Sequence, residues 1–281
     1  MTTSDAALFL RVAVDAALAG AQVAKGYFSA HGAEAAGVRI ENKSRNDLVS
    51  IADRESEAAI IATIRAEFPD HLIVAEESGL IGAHHEVSWI IDPLDGTTNF
   101  LQGLPIWCVS VACVAGDDLL AGVVFDPMSN DLFAAARGLG ATRNGEEIFV
   151  STKSRLDDAF LATGFPFRAN AALDVFLDAF RSIFPEVRGI RRCGAAALDL
   201  AHVAAGVYDA FFEFRLSPWD VAAGALIVRE AGGVVSDLDG GTDYLSSGNI
   251  VAGTPGIQLK LLGLLRKVAS QGLLDELVPL D

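Results

Sequence analysis

Two aspartates, three residues apart, stand where an apolar run ends, and they carry the strongest chemical signal in the sequence. Asp92 follows Val87–Ile91 directly, and Asp95 is followed at once by Gly96 and Thr97. Backbone N–H groups in a glycine-containing turn of this kind can cradle a phosphate group. Two carboxylates beside a phosphate would repel it, so the pattern predicts metal cations between them.

The overall charge supports the same interpretation. The 281 residues include 21 Lys and Arg against 37 Asp and Glu, a formal net charge of −16. A field of this sign repels nucleic acids, anionic membrane surfaces and phosphate esters alike. We therefore expect no direct nucleic-acid or membrane partner, and any chemistry on a phosphate ester requires local positive charge from bound cations.

Three motifs together give the sequence a family resemblance. A lone D-x-x-D-G pattern is often only a turn or a helix cap. Here the whole string Trp89–Phe100 resembles the inositol monophosphatase signature W-I-[IV]-D-P-[IL]-D-G-T-x-N-F, and Trp219–Gly233 resembles the family's W-D-x-A-A-G signature with its E-A-G-G ending. Ala75–Ser78 matches a third element, [GA]-E-E-S. The order and spacing are those of the family over nearly the whole chain.

The resemblance implies a magnesium site with two or three ions. Its ligands would be four carboxylates and one backbone carbonyl, that of Leu94; the carboxylates are those of Glu76, Asp92, Asp95 and Asp220. Asp92 would bridge two ions. All of these ligands are hard oxygen atoms, which favour Mg²⁺ over softer metals.

The resemblance also assigns catalytic and substrate-binding residues. Asp53 and Thr97 would orient and deprotonate the attacking water, and Glu76 belongs to the same catalytic set. The phosphate and alcohol parts of the substrate would be held by Asp95, Gly96, Thr97, Gly194, Ala195, Ala196, Glu213 and Asp220.

The function that follows is a Mg²⁺-dependent phosphomonoesterase that hydrolyses myo-inositol monophosphate or a similar polyol phosphate with metal-activated water. The same chemistry on fructose 1,6-bisphosphate, histidinol phosphate or 3′-phosphoadenosine 5′-phosphate stays open. A regulatory protein-binding role is an alternative of a different class, because some bacterial relatives also bind the transcription machinery. The family resemblance further implies inhibition by lithium. The spacing of Asp92 and Asp95 is D-x-x-D and not the D-x-D of haloacid-dehalogenase phosphatases, which argues against that mechanism, and no P-loop motif is present.

The elements that position these residues are predicted from hydrophobic periodicity and from turn signals. Helices are expected over about Asp5–His31, Glu55–Phe68, Ala171–Phe184 and Ala195–Ala205, from Asp220 to Gly232, and after Pro255; a turn-rich stretch is expected at Asn42–Asp47. Strands are expected at Leu72–Ala75, Val87–Ile91, Val109–Val114, Leu119–Phe125, Leu132–Ala136, Ala159–Thr163, Val207–Phe214 and Val234–Leu238. Hairpins are expected through Asp126–Asp131 and at the turn Asn144-Gly145.

These elements favour two halves that share a core. An N-terminal α+β half, residues 1–150, would hold an antiparallel sheet and most metal ligands, and residues 151–281 would form an α/β half supplying Asp220 and the substrate pocket. The fold class is therefore α/β (α+β), and the resemblance implies a layered αβαβα sandwich of the inositol monophosphatase and fructose-1,6-bisphosphatase type.

Cysteine usage and the N-terminus bear on location. Cys108, Cys113 and Cys193 form no C-x-x-C pair, and an odd number of cysteines is typical of reduced thiols rather than of a disulfide framework. The segment Met1–Phe28 is apolar but lacks the basic region of a signal peptide. We expect a cytoplasmic protein, and the family resemblance implies a homodimer.

Overall fold

The computed structural model describes residues 3–29, 40–44, 47–83, 85–166 and 173–268. The helices in these ranges are α1 Thr3–Tyr27, α2 Ile51–Glu67, α3 Thr97–Leu101, α4 Leu173–Ile183, α5 Ala196–Ala204, α6 Pro218–Glu230, α7 Tyr244–Ser247 and α8 Pro255–Val268. Short 3₁₀ turns lie at Leu156–Asp158 and Phe184–Glu186.

Within the described residues, the strands form one two-stranded ribbon and two sheets. Their bounds are β1 Ile40–Ser44, β2 Asp47–Ser50, β3 Leu72–Ala75, β4 Gly79–Ile81, β5 Val87–Asp95, β6 Cys108–Ala115, β7 Asp118–Asp126, β8 Asp131–Ala136, β9 Ala141–Arg143, β10 Glu146–Glu147, β11 Phe160–Thr163, β12 Gly189–Arg191, β13 Ala210–Glu213, β14 Val234–Ser236 and β15 Ile250–Gly253. The first sheet has the order β10-β9-β8-β7-β6-β5-β3-β4, and the second has the order β12-β11-β13-β15-β14.

Strand direction differs between the two sheets. In the first sheet β3 runs parallel to β5, and the remaining neighbours are antiparallel. In the second sheet β11 runs parallel to both β12 and β13, whereas β15 pairs antiparallel with β13 and β14. Both sheets are therefore mixed, and parallel pairing requires the crossover connections that helices provide.

The helices and sheets stack in five layers. Helices α1 and α2 cover one face of the first sheet, α5 and α6 lie between the two sheets, and α4 and α8 cover the far face of the second sheet. Three large apolar clusters fill the spaces between successive layers. The chain thus has the layered α/β fold that the sequence predicts; the division at residue 150 stays a prediction.

Helix α1 shows how composition is matched to packing. Its stretch Asp5–Tyr27 is long enough and apolar enough to cross a membrane. A helix buried in the core of a protein can meet the same criteria of length and composition. Val12, Ala13 and Ala16 are buried in the cluster that α1 shares with α2 and the first sheet. The helix ends at Tyr27, before the predicted end; His31 lies outside the described residues.

Two helices begin earlier than the sequence analysis predicts. Helix α2 starts at Ile51 rather than Glu55, and α6 starts at Pro218 rather than Asp220. In both helices, the side chain of the capping serine accepts a hydrogen bond from the backbone N–H of the aspartate three residues later. The aspartate carboxylate accepts one from the backbone N–H of the serine, and this reciprocal pair is a capping box. Asp53 and Asp220 are therefore first-turn residues whose carboxylates point toward the helix start.

Backbone pairing also changes two other predicted segments. Asn42–Ser44 belongs to strand β1 and not to a turn, because it pairs with Asp47–Leu48 of β2. The predicted strand from Val207 begins only at Ala210, because the N–H groups of Val207 and Tyr208 bond to the carbonyl of His202 at the end of α5. Side chains in 40–44 and 47–49, and residues 167–172, lie outside what the structure describes.

The hairpin predictions are confirmed. Strands β7 and β8 pair through Asp126–Asp131, and β9 and β10 meet at Asn144-Gly145. Both residues of the second turn have positive φ, 53° and 83°, as a tight two-residue hairpin turn requires. The strand β15 was not predicted, although it joins β13 to β14 in the second sheet.

Candidate metal and phosphate site

Three buried carboxylates from two elements converge at one point. Asp92 and Asp95 lie on β5, and Asp220 lies in the first turn of α6. One carboxylate oxygen from each residue lies within 4.8 Å of the others. All three residues are less than 9% exposed. The structure thus brings together three of the four carboxylates predicted to bind metal, as a cluster of hard oxygen ligands.

An irregularity in β5 explains how Asp92 and Asp95 reach the same place. Successive side chains of a strand alternate between its faces, so residues three apart would normally point to opposite sides. Asp92 pairs with Ser110 and Asp95 pairs with Cys108, so three steps on β5 match two steps on β6. This bulge realigns the second carboxylate with the first.

Each carboxylate of the cluster is held by a backbone N–H group. Asp92 Oδ1 accepts from Leu94 N at 2.9 Å, and Asp220 Oδ2 accepts from Ser217 N at 2.7 Å. Asp95 Oδ2 accepts from Ala197 N at 2.8 Å, in the first turn of α5. These bonds fix the orientation of all three groups before any ligand arrives.

The cluster is electrostatically unfavourable without a cation. Burial raises the pKa of Asp92 well above its usual range, and the neighbouring charges of Glu76 and Asp95 raise it further. Burial and Asp220 raise the pKa of Asp95 to about 7, although the N–H bond from Ala197 opposes this shift. Because like charges crowd together here, a bound divalent cation would relieve their repulsion.

Glu76, the fourth predicted carboxylate ligand, lies beside this cluster. It follows β3, and its contact with Asp92 is one cause of the raised pKa of that residue. The turn Glu76–Ser78 is held from helix α2, where Glu57 accepts from Glu77 N at 2.8 Å and from the Ser78 hydroxyl. Glu76 is therefore the first residue of a turn whose position helix α2 fixes.

Asp53 and Thr97, the predicted water-activating pair, are in contact. Thr97 Oγ1 can donate to Asp53 Oδ1 at 3.2 Å or to the carbonyl of Leu94 at 3.1 Å. Asp53 is fully buried, and its Oδ2 accepts from Ser50 N at 2.8 Å and Ser50 Oγ at 2.6 Å. Burial raises the pKa of Asp53, and the bonds from Ser50 oppose that shift. The single hydroxyl hydrogen of Thr97 can therefore go either to Asp53 or to the backbone beside the cluster.

Gly96 connects β5 to the short helix α3 in a conformation that only glycine adopts easily. Its φ is 95°, in the left-handed region. A Cβ atom at this position would lie 2.9 Å from the carbonyl oxygen of Ile106. Both the backbone angle and the lack of space therefore require glycine between Asp95 and Thr97.

The residues predicted to line the alcohol pocket surround the start of α5 and the end of β13. Ala195 caps α5, Ala196 begins it, and Gly194 precedes the cap with a φ of 88°. Glu213 is the last residue of β13. Burial is the largest cause of its raised pKa, and the charges of Asp220 and Asp95 also raise it. Glu213 is thus near the carboxylate cluster but is not one of the three converging groups.

Several positioning residues were not predicted from the sequence. Asn99 Nδ2 donates to the carbonyls of Ile106 at 2.8 Å and Cys193 at 2.9 Å, which ties α3 to the segment before α5.

Two residues of the segment Ser50–Glu57 also position parts of the site. Glu57 accepts the hydrogen bonds that fix the Glu76 turn, and Ser50 donates those that orient Asp53. The S-x-x-D spacing of a capping box could have indicated Ser50, and the i, i+4 spacing from Asp53 places Glu57 on the same helix face.

Asp199 is another buried carboxylate that the sequence analysis missed. It lies in the first turn of α5 and is 2% exposed. Burial raises its pKa well above the usual range, the charge of Asp95 adds to this, and Arg192 opposes it. An acidic residue inside the apolar run Ala195–Ala201 was the available sequence signal, because an isolated buried carboxylate is costly.

Comparison with known proteins gives one consistent result. The sequence profile described as the inositol monophosphatase family matches residues 5–271. The Nus factor SuhB of Escherichia coli strain K12 is 48% identical over 266 residues, which are 94% of this chain and 98% of that protein.

Two solved structures extend the comparison. The extragenic suppressor protein suhB from Bartonella henselae has a TM-score of 0.86 and 42% identity, and the match covers 92% of this chain and 99% of that one. The inositol monophosphatase from Anabaena (Nostoc) sp. PCC 7120 has a TM-score of 0.81 and 39% identity, covering 92% and 96%.

Proposed function

Because the chain belongs to the inositol monophosphatase family, we propose that it is a Mg²⁺-dependent phosphomonoesterase acting on a small phosphorylated polyol. The observation that carries the proposal is the convergence of Asp92, Asp95 and Asp220, with one oxygen of each within 4.8 Å of the others. Family membership supports phosphatase chemistry, and the buried oxygen cluster supports the metal dependence.

The ligand set fits magnesium. The cluster offers carboxylate oxygens from Asp92, Asp95 and Asp220, with Glu76 beside it and the carbonyl of Leu94 within the same turn. Oxygen ligands alone, several of them anionic, are what Mg²⁺ prefers. Magnesium bound there would supply positive charge to a phosphate ester and acidify a water molecule.

The protein's own residues then have separate tasks. Asp53, oriented by Ser50, accepts a hydrogen bond from the Thr97 hydroxyl, whose oxygen can accept one from a neighbouring water. As that water gives its proton to the Thr97 oxygen, the hydroxyl proton of Thr97 would pass to Asp53. The backbone N–H groups at Gly96 and Thr97 would hold phosphate oxygens. The N–H of Ala197 keeps Asp95 in place, so the start of α5 orients a ligand carboxylate.

The substrate alcohol would face Gly194, Ala195, Ala196 and Glu213. Glu213 would act as a hydrogen-bond acceptor, which suits the hydroxyl groups of a polyol. This favours myo-inositol monophosphate or a similar polyol phosphate. The aromatic and anionic 3′-phosphoadenosine 5′-phosphate fits an acidic pocket least well, and fructose 1,6-bisphosphate and histidinol phosphate lie between these two.

A substrate panel tests this proposal. Purified protein with Mg²⁺ is assayed for phosphate release from inositol 1-phosphate, fructose 1,6-bisphosphate, histidinol phosphate and 3′-phosphoadenosine 5′-phosphate, and kcat/KM ranks them. Inositol 1-phosphate at the head of the ranking is the expected result. Release from none of the four would contradict the enzymatic proposal. Inhibition by lithium, a homodimeric state and a cytoplasmic location stay predictions.

A regulatory protein-binding role is the second candidate. It is favoured by relatives of 47–48% identity that are named Nus factor SuhB. An Asp92→Asn variant separates the two roles in cells that lack the wild-type protein. Growth at the wild-type rate without phosphatase activity would support the regulatory role, and growth that falls together with the activity would support the enzymatic one.

A further inference from the structure

The end of strand β11 leaves a space that the carboxylate of Glu213 occupies. Gly164 directly follows β11, and a Cβ atom built on it would overlap the carboxyl carbon and both oxygens of Glu213, far inside the 3.0 Å that real Cβ atoms keep from their neighbours. The φ of Gly164 is not in the left-handed region, so its backbone could accept alanine. We call this space, bounded by Gly164 and filled by Glu213, the Gly164 notch.

The backbone of the notch is fixed on both sides. Strand β11 pairs with β12 on one side and β13 on the other. Thr163 Oγ1 donates to the carbonyl of Phe212 at 2.8 Å. The ring of Phe165 packs edge-on against Phe176 at 5.4 Å, and Phe176 stacks on Phe212 at 6.2 Å. A side chain at 164 would therefore displace the flexible end of Glu213 rather than the sheet.

Charged groups surround the Glu213 carboxylate, so its electrostatic energy depends on where it lies. Burial raises the pKa of Glu213 well above its usual range, Asp199 and Asp220 raise it further, and Arg192 lowers it. The guanidinium carbon of Arg192 lies 5.6 Å from the ring centre of Phe165, next to the notch. A shift of the Glu213 carboxylate would change its distance to all three charged neighbours and to the pocket.

We propose that Gly164 is a specificity-determining positioning residue, whose missing side chain holds the Glu213 carboxylate where it accepts hydrogen bonds from the hydroxyl groups of a polyol phosphate. This inference rests on the proposed function. Gly164 touches no reacting group; it acts through Glu213. A polar group that is built to bond a substrate hydroxyl discriminates strongly against esters without one.

The test compares two esters in the full-length protein with Mg²⁺. For Gly164→Ala, the ratio of kcat/KM for inositol 1-phosphate to that for p-nitrophenyl phosphate should fall about tenfold, because the second ester has no hydroxyl donor on its leaving group. The loss should lie in KM for inositol 1-phosphate. Gly189→Ala on β12 is the matched control, since its Cβ makes only ordinary contacts, at 3.5 Å from Phe160, and should leave the ratio unchanged.

A double-variant cycle separates this role from a structural one. In a Glu213→Ala background, adding Gly164→Ala should cause no further fall in the ratio, because the group that it displaces is gone. Additive losses, or an unchanged ratio in Gly164→Ala, would overturn the inference while the wild-type activity upholds the proposed function. A wild type that hydrolyses neither ester would overturn both.

A crystal structure of Gly164→Ala gives a readout that does not depend on turnover. A displaced Glu213 carboxylate beside an unchanged strand β11 would support the positioning role of Gly164. A carboxylate in its original place, or a shifted strand, would overturn the inference whatever the kinetics show.

Discussion

The hydroxyl of Thr97 has two acceptors within reach, Asp53 Oδ1 and the carbonyl of Leu94, and one hydrogen to give. The choice between them decides whether Thr97 is coupled to a buried carboxylate or only to the backbone turn. The coupling to Asp53 is the one that the capping bonds from Ser50 prepare, because they leave Oδ1 facing Thr97.

Removing this hydroxyl should slow the reaction without weakening metal binding. For Thr97→Val, which keeps the branched shape, we expect kcat to fall about 10²-fold, the order of a lost general acid–base contribution. Thr97→Ser restores the hydroxyl and should recover most of the rate. Steady-state kinetics with Mg²⁺ titrations measure both; a Val variant with wild-type kcat would contradict the role.

The pKa of Asp95 leads to a prediction about pH. Its value of about 7 in the folded protein compares with 3.8 ordinarily. Between these values the folded, metal-free protein retains a proton that the unfolded chain has lost, so the free energy of unfolding falls as the pH rises. Metal binding needs the deprotonated carboxylate. The rise in Tm on adding Mg²⁺ should therefore be larger at about pH 8 than at about pH 6.

Thermal unfolding with and without Mg²⁺ at the two pH values measures this difference. Asp92→Asn is the control, because it should show little Mg²⁺-induced shift at either pH. Equal shifts for the wild type at both pH values would show that Asp95 does not titrate in this range.

At the scale of elements, helix α2 positions both turns of the site. Asp53, Ser56 and Glu57 lie on one face of it; Ser56 Oγ donates to the carbonyl of Pro93 at 2.9 Å, and Glu57 holds the turn at Glu77. One helix thus fixes the position of the Asp92–Asp95 segment relative to the Glu76 turn.

Loss of the Glu57 carboxylate should weaken metal binding. For Glu57→Ala we expect the Kd for Mg²⁺ to rise about tenfold, as for other residues that orient metal ligands. Glu55→Ala is the control on the same helix, since Glu55 is exposed and bonds only with Tyr27 in the contacts described. Calorimetric titration measures both, and equal affinity in the two variants would contradict this function of α2.

The contact of α1 with α2 leads to a stability prediction. A Cβ on Gly20 would lie 2.6 Å from Ile60 Cγ1 and 2.8 Å from Ser56 Oγ. Gly20→Ala should therefore destabilise the protein by about 1–3 kcal/mol through overpacking. Gly26→Ala, on the same helix with no neighbour within 4 Å, should be neutral or stabilising by up to about 1 kcal/mol. Urea unfolding distinguishes the two, and stabilisation by both would contradict the close packing.

At the scale of the whole molecule, the sequence predicted more of the chemistry than of the geometry. Two of the three motifs singled out Asp92, Asp95 and Asp220, because the residue types in those motifs and their order carry the chemical signal. The bulge that aligns Asp92 with Asp95 leaves no such signal, since it arises from pairing between β5 and β6. Strand β15 was missed for a related reason: a short apolar run becomes a strand only through its neighbours.

The contacts between distant segments were equally unpredictable. The bond from Ala197 to Asp95 joins residues 102 positions apart, and the overlap of Glu213 with the space at Gly164 depends on the register of β11 and β13. Both follow from how the two sheets pack around α5 and α6. The family resemblance named the residues on each side of these contacts, and the fold determines how they touch.

The most direct test of the account is phosphate release from inositol 1-phosphate, with and without Mg²⁺, by the wild type and by Asp92→Asn. We expect Mg²⁺-dependent release by the wild type and a loss of about 10³-fold or more in the variant, whose overall fold should persist. Release that needs no Mg²⁺, or that survives the substitution, would contradict a metal-dependent mechanism at the Asp92–Asp95–Asp220 cluster.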